Sequence, residues 1–212
     1  MTRVKICGLT HLDDAHQAVE LGAWALGMIF WPQSPRACPV EQAEAIGAQL
    51  HRRVELAGVF VNATLDELAA TADVCHFSLL QLHGDEGPAY CREARRRTGC
   101  RVIKAARVID AAQVQALRAY KTDFHLLDAH SRKAPGGTGE SFDWELARLH
   151  PGTPPLILSG GLTPDNVGEA IAVARPYAVD TASGTEAEPG RKDPAKLSEF
   201  FRAVEAAGQL VT

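Results

Sequence analysis

Arg3-Val4-Lys5-Ile6-Cys7, then Leu12 to Leu21, then Ala25-Leu26-Gly27-Met28-Ile29-Phe30 follow one another at the start of the chain, and their order decides the fold. The outer two segments are short runs of apolar and β-branched residues, as strands are. The middle one spaces its Ala, Leu and Val residues on one helical face among Asp, Glu and Gln. Strand, helix and strand in that order form a βαβ unit, with two parallel strands and a right-handed crossover.

The unit repeats along the chain. Further strand-like runs are Val54 to Val61, Phe77 to Leu82, Arg101 to Ala106, Phe124 to Asp128, Pro155 to Ser159 and Tyr177 to Thr181. Between them, helical spacing predicts helices over Val40 to Leu50, Leu65 to Thr71, Pro88 to Arg97, Ala111 to Tyr120, Asp165 to Ala174 and Pro194 to Ala206, with a short one over Trp144 to Leu149. Thr64 with Glu67 three residues on reads as a capping box, and Thr163-Pro164-Asp165 as a helix start with proline in its first turn. Eight strands alternating with helices predict an α/β fold, a single-domain (β/α)8 TIM barrel over residues 1–212. The alternative is an open doubly wound sheet, against which stands the lack of a G-x-G-x-x-G after the first strand.

Composition narrows the function. The 212 residues are 46% hydrophobic and 23% charged with a net charge of -4, an ordinary globular balance with no broad positive field for nucleic acid. Arg95, Arg96 and Arg97 read as a solvated helix face. The N-terminus lacks the apolar core of a signal peptide and no apolar run reaches the ~20 residues of a membrane span, so a cytoplasmic protein off the membrane is expected. Cys7, Cys38, Cys75, Cys91 and Cys100 are an odd, scattered set without a C-x-x-C pair, which predicts free thiols. No histidine pair has zincin spacing, so no metal site is expected.

In a barrel of this kind the chemistry sits where strands end at the C-terminal face. The candidates there are Cys7, Arg36, Asn62, His83, Asp128, Ser159 and Asp180. Alternation puts Cys7 on one face with Lys5 and Arg3. Cys7 is open to two readings, a small buried hydrophobe or a reactive thiol. Asp128 closes an apolar run, where burying a carboxylate without a purpose is costly. Arg36, after Ser34-Pro35, offers a planar fork suited to a carboxylate. His83 and Asp85 either meet a ligand or form a turn. Ser159-Gly160-Gly161 and Ser183-Gly184 follow the seventh and eighth strands, the usual phosphate position of such barrels, and predict a phosphorylated small-molecule ligand. Pro135-Gly136-Gly137-Thr138-Gly139 reads either as a flap or as a surface loop.

With these residues in place, the chain resembles the phosphoribosylanthranilate isomerase family over nearly its whole length. The matching blocks run in order: Val4-Lys5-Ile6-Cys7-Gly8-Leu9-Thr10, Ser34-Pro35-Arg36, Gly58-Val59-Phe60-Val61-Asn62, Gln81-Leu82-His83-Gly84-Asp85-Glu86 and Leu127-Asp128. Then come Gly136-Gly137-Thr138-Gly139, Phe142-Asp143-Trp144, Gly160 to Val167, Val179-Asp180, Ser183-Gly184 and Glu188-Pro189-Gly190-Arg191-Lys192-Asp193.

The resemblance implies a cofactor-free Amadori rearrangement of N-(5'-phosphoribosyl)anthranilate in tryptophan biosynthesis, by a monomer or homodimer. It implies Cys7 as general base, Asp128 as general acid, and Arg36 on the anthranilate carboxylate. His83 and Asp180 would line the substrate, with Gly160, Gly161, Ser183 and Gly184 at the phosphate. Ser159 stands where the family commonly has alanine, and Thr181-Ala182 where it has valine and serine. Another phosphosugar isomerase or epimerase would share the phosphate loops without a use for Arg36, and a non-catalytic phosphate sensor would have no use for Cys7 or Asp128. The chemistry asks for unusual protonation, since an ordinary aspartate is about 0.1% protonated at pH 7 and an ordinary thiol only a few per cent ionised. Lys5, one step below Cys7, is the expected source of help for a thiolate.

Overall fold

Eight parallel strands close on themselves in sequence order in the computed structural model, which describes residues 1–129 and 144–209. They are β1 (Arg3–Ile6), β2 (Ala25–Ile29), β3 (Glu55–Phe60), β4 (Leu79–Leu82), β5 (Arg101–Val108), β6 (Phe124–Ala129), β7 (Leu156–Ser159) and β8 (Ala178–Thr181). β8 pairs back onto β1 with Lys5 opposite Asp180. Closure removes both sheet edges and excludes the open doubly wound alternative. The predicted strands coincide with the observed ones to within two residues at each end.

The helices are α1 (Leu12–Glu20), α2 (Val40–Leu50), α3 (Leu65–Val74), α4 (Pro88–Thr98), α5 (Ala111–Ala116), α6 (Val167–Ala174) and α7 (Pro194–Gln209). The capping box of Thr64 and Glu67 is present on α3. Three expectations need correction. The helix expected over Ala111 to Tyr120 stops at Ala116 and tightens into a 3-10 turn over Leu117–Ala119. Trp144–Leu149 is a 3-10 helix, being too short to propagate an α-helix. Helix α6 starts at Val167 because Asn166 Oδ1 takes the Thr163 N–H at 2.8 Å, which holds Thr163-Pro164-Asp165 in a turn ahead of it. At the end of α4, Arg96 and Arg97 pair with Glu93, and Arg95 with Asp123, as a solvated face.

Two apolar regions hold the barrel. Leu26, Ile46, Leu56, Leu80, Leu158, Val179 and Phe200 are among the side chains packed between strands and helices. Inside, Ala25, Ala57, Leu79, Ile103, Ala105, Phe124, Leu126, Ile157 and Ala178 fill the lower half of the lumen. Trp24, Phe124 and Tyr177 meet edge-on or tilted beneath them, with Arg3 4.3 Å over the Tyr177 ring. Filling this half with carbon leaves the opposite end for polar side chains.

A buried pair of histidines braces β6 on the loop after Trp144–Leu149. Gly152 N–H donates to His150 Nδ1 at 3.2 Å, His150 Nε2 meets His125 Nδ1 at 2.9 Å, and His125 Nε2 meets the Tyr120 carbonyl at 3.1 Å. A carbonyl only accepts, so one proton assignment satisfies the whole chain, and both rings are neutral in it. Burial pushes His125 down to about 4 and lowers His150 as well. A depressed histidine contributes stability above its unfolded value near 6.5 and loses it as pH falls toward 4. Urea denaturation should therefore show wild type losing about 3 kcal/mol between pH 7 and 4 through His125. His125→Gln should flatten that slope; an unchanged slope would refute the assignment.

Candidate active site

Above the apolar floor the inward positions turn polar, beginning at β1. Alternation carries Lys5 and Cys7 to the inside, both buried at 0% and 5% exposure. Gly27 on β2 makes room for them: a Cβ there would lie 2.8 Å from Cys7 Sγ and 3.0 Å from Lys5 Nζ. Thiol and ammonium thus share a space small enough for the charge of one to act on the other, inside the ~6 Å over which a neighbour moves a pKa. Lys5 Nζ donates to Asp180 Oδ1 at 2.8 Å, and Ser159 Oγ donates to Asp180 Oδ2 at 3.0 Å.

The expected help from Lys5 is present but outweighed. Burial pushes the Cys7 thiol up, and Lys5 and Lys192 pull it down by less, so it ends above its ordinary value. Lys5 itself loses by burial and gains more from Asp180 and Cys7, which keeps it an ammonium. Asp180, expected at the substrate, is 4% exposed and tied to Lys5 and Ser159. The Ser159 hydroxyl finds its use there.

Three strands round from Cys7, Asp128 is the last residue but one of β6, its side chain 21% exposed. His83, just after β4, brings Nε2 to 3.3 Å from Asp128 Oδ2. Below it Gln81 places its amide 3.2 Å from His83 Nδ1. The rest of the β4 loop is braced by Glu86, which accepts from Asn62 N–H at 2.8 Å, Gly84 N–H at 2.9 Å and Lys104 Nζ at 2.8 Å. Asn62 Oδ1 in turn accepts the Asp85 N–H at 2.7 Å. Of these sequence candidates, His83 therefore faces the site, while Asn62 and Asp85 build the turn.

Arg36 lies across Gly8, whose φ of +74° and missing side chain let it approach; a Cβ there would be 2.8 Å from Arg36 Cδ. Its guanidinium grips Glu186 side-on, Nε to both carboxylate oxygens at 2.8 and 2.9 Å and Nη2 to Oε2 at 2.7 Å. Glu186 belongs to a hairpin of β9 (Glu186–Glu188) and β10 (Arg191–Lys192). The same hairpin buries Lys192, whose Nζ donates to the Ala182 carbonyl at 2.8 Å and approaches Glu186 Oε1 at 3.4 Å.

The glycine turns after β7 and β8 meet each other. Gly160 and Gly161 take φ of +99° and +65°, a region that favours glycine. A Cβ on Gly184 would fall 1.9 Å from the Leu162 carbonyl oxygen, so the two loops can abut only with glycine there. Thr181 donates its hydroxyl to that carbonyl at 2.8 Å. Ser183 and Gly184 open a single 3-10 turn, Ser183–Thr185. Gly136, Gly137 and Gly139 lie outside the described residues. Among the described residues no three His, Cys, Asp or Glu side chains converge to hold a metal.

Sequence reading brought Cys7, Arg36, His83, Asp128, Ser159 and the glycine turns to one end of the barrel. It missed Gln81, Glu186 and Lys192. Gln81 carried a signal, an amide inside an apolar strand run; Glu186 carried none, since its partner is 150 positions away.

Residues 4–203 match the family model described as N-(5'phosphoribosyl)anthranilate (PRA) isomerase. The chain is 50% identical over 206 residues to the N-(5'-phosphoribosyl)anthranilate isomerase of Geobacter metallireducens, covering 97% of this chain and 100% of that one. Among solved structures, phosphoribosyl anthranilate isomerase from Thermotoga maritima superposes with a TM-score of 0.86 at 38% identity, over 97% and 100% of the two chains. A structure of such an isomerase in complex with reduced 1-(o-carboxyphenylamino)-1-deoxyribulose 5-phosphate gives 0.83 at 37% identity, again over 97% and 100%.

Proposed function

The chain belongs to the N-(5'-phosphoribosyl)anthranilate isomerase family, and on that premise we propose that Cys7 and Asp128 carry its reaction as base and acid. The enzyme is an isomerase of tryptophan biosynthesis, converting N-(5'-phosphoribosyl)anthranilate to 1-(2-carboxyphenylamino)-1-deoxyribulose 5-phosphate. The observation that supports the residue assignment best is the polar end of the lumen, where β1 delivers a buried thiol and β6 a carboxylate above one apolar floor.

In the proposed sequence Asp128 protonates the furanose oxygen as the amine lone pair expels it, giving an open-chain iminium. Cys7, as thiolate, takes the proton from the neighbouring sugar carbon C2 and leaves an enolamine. Return of the sulfur's proton to C1, with loss of the enol proton toward Asp128, forms the ketone and resets both groups. Arg36 would take the anthranilate carboxylate, and the turns at Gly160, Gly161, Ser183 and Gly184 the phosphate, so that the substrate is held at both ends. His83 would orient Asp128, and Asp180, through Lys5, would set the charge beneath Cys7.

We place the reaction in the cytoplasm, in keeping with an enzyme of small-molecule biosynthesis. No described helix is long and apolar enough to cross a membrane. Purified protein should consume N-(5'-phosphoribosyl)anthranilate, followed by loss of its fluorescence, and should rescue a tryptophan auxotroph lacking this isomerase. Absence of turnover with intact substrate would overturn the reading.

A further inference from the structure

Arginine has five N–H donors, and Glu186 occupies one edge of the Arg36 guanidinium, the Nε–H and one Nη2–H. The opposite end, Nη1 with the second Nη2–H, has no partner among the described residues, and the side chain as a whole is 21% exposed. That end is itself a two-pronged fork for a second carboxylate. Glu186 is in turn fixed: its carboxylate is 4% exposed, it approaches Lys192 Nζ, and the Gly190 N–H lies 3.4 Å from Oε1. The hairpin carrying it is pinned by Thr10 Oγ1 donating to the Gly190 carbonyl at 2.7 Å, and by Asp14 Oδ2 accepting the Lys192 N–H at 2.9 Å.

We infer that Glu186 is a positioning residue for substrate specificity, which clamps Arg36 by its inner edge so that only the outer fork faces the mouth and reads the substrate's aromatic carboxylate. The inference rests on the assignment of Arg36 to that carboxylate. An unclamped arginine, on a flexible stem with four rotatable bonds, would spread its fork over many directions and lose most of its preference for one. A second consequence follows from charge. With Glu186 beside it, the Arg36 end of the site is not left with an uncompensated cation before substrate arrives.

The test compares two substrates, N-(5'-phosphoribosyl)anthranilate and the corresponding phosphoribosyl derivative of aniline, which lacks the carboxylate. In Glu186→Ala the ratio of their kcat/KM values should fall about tenfold or more, through KM of the carboxylated substrate, with the aniline substrate within about threefold of wild type. Glu186→Gln keeps a hydrogen-bonding partner of the same size and should restore part of the ratio. Arg36→Ala should abolish the preference, and adding Glu186→Ala to it should change the ratio no further. Equal losses on both substrates in Glu186→Ala would mean a merely structural role, and a rise in the ratio would mean that Glu186 competes with the substrate; either overturns the inference. Preference surviving in Arg36→Ala would instead overturn the assignment of Arg36.

Discussion

Cys7→Ala is expected to lower kcat by about 100-fold or more while leaving the fold intact, since positioned general bases contribute roughly 10² to 10⁴. The substitution removes one buried sulfur from a site walled by Gly27 and Lys5, and leaves the Lys5 and Asp180 pair untouched. The wild-type pH profile tests the same assignment. The active form needs a thiolate together with a protonated acid, and between the two ionisations its population is flat, because one fraction rises as the other falls. Above the thiol's pKa only the fall remains. Burial holds the Cys7 thiol above its ordinary value near 9, so the descending limb of kcat/KM belongs above pH 9. A limb setting in near neutrality, or a Cys7→Ala enzyme within threefold of wild type, would remove Cys7 from the base role.

Asp128→Asn should cost kcat about as much, roughly 100-fold or more, by keeping the shape of the side chain and taking away its proton. The two variants separate by isotope. With deuterium at C2 of the sugar, slowing ring opening hides the C–H cleavage, so Asp128→Asn should lower the observed kinetic isotope effect. Cys7→Ala, which slows the cleavage itself, should raise it. His83 touches Asp128 at 3.3 Å, so His83→Ala should lower kcat by less than Asp128→Asn does rather than abolish turnover. Wild-type rates in Asp128→Asn would assign the acid elsewhere.

The barrel was legible because each strand is a short apolar run and each helix a periodic one, signals that are local in the chain. The alternation along the first strand could be read as well, with Arg3, Lys5 and Cys7 on one face. What escaped was either weakly periodic or distant. Trp144–Leu149 is too short for periodicity to distinguish α from 3-10, and Thr163 looked like a cap because the competing bond from Asn166 arises only once the turn is formed. The β9 and β10 hairpin has Glu, Pro, Gly, Arg and Lys where strands prefer β-branched residues, and it forms because Arg36, Thr10 and Asp14 hold it from outside. Its Glu186, like the Ser159 hydroxyl on Asp180, acquires meaning only from the closed barrel.

If Cys7 is the base, the packed lower lumen also bears on the traffic of hydrogen. Among the described residues Ala25, Ala57, Leu79, Ile103, Leu126 and Ile157 plug the barrel from beneath, so a substrate bound at the polar end would stand between Cys7 and solvent. With Cys7 as the base, a hydrogen lifted onto its sulfur, 5% exposed, would be shielded from exchange for as long as the sugar remains. On the proposed mechanism, label placed at C2 should then be found at C1 of the product instead of washing out into water.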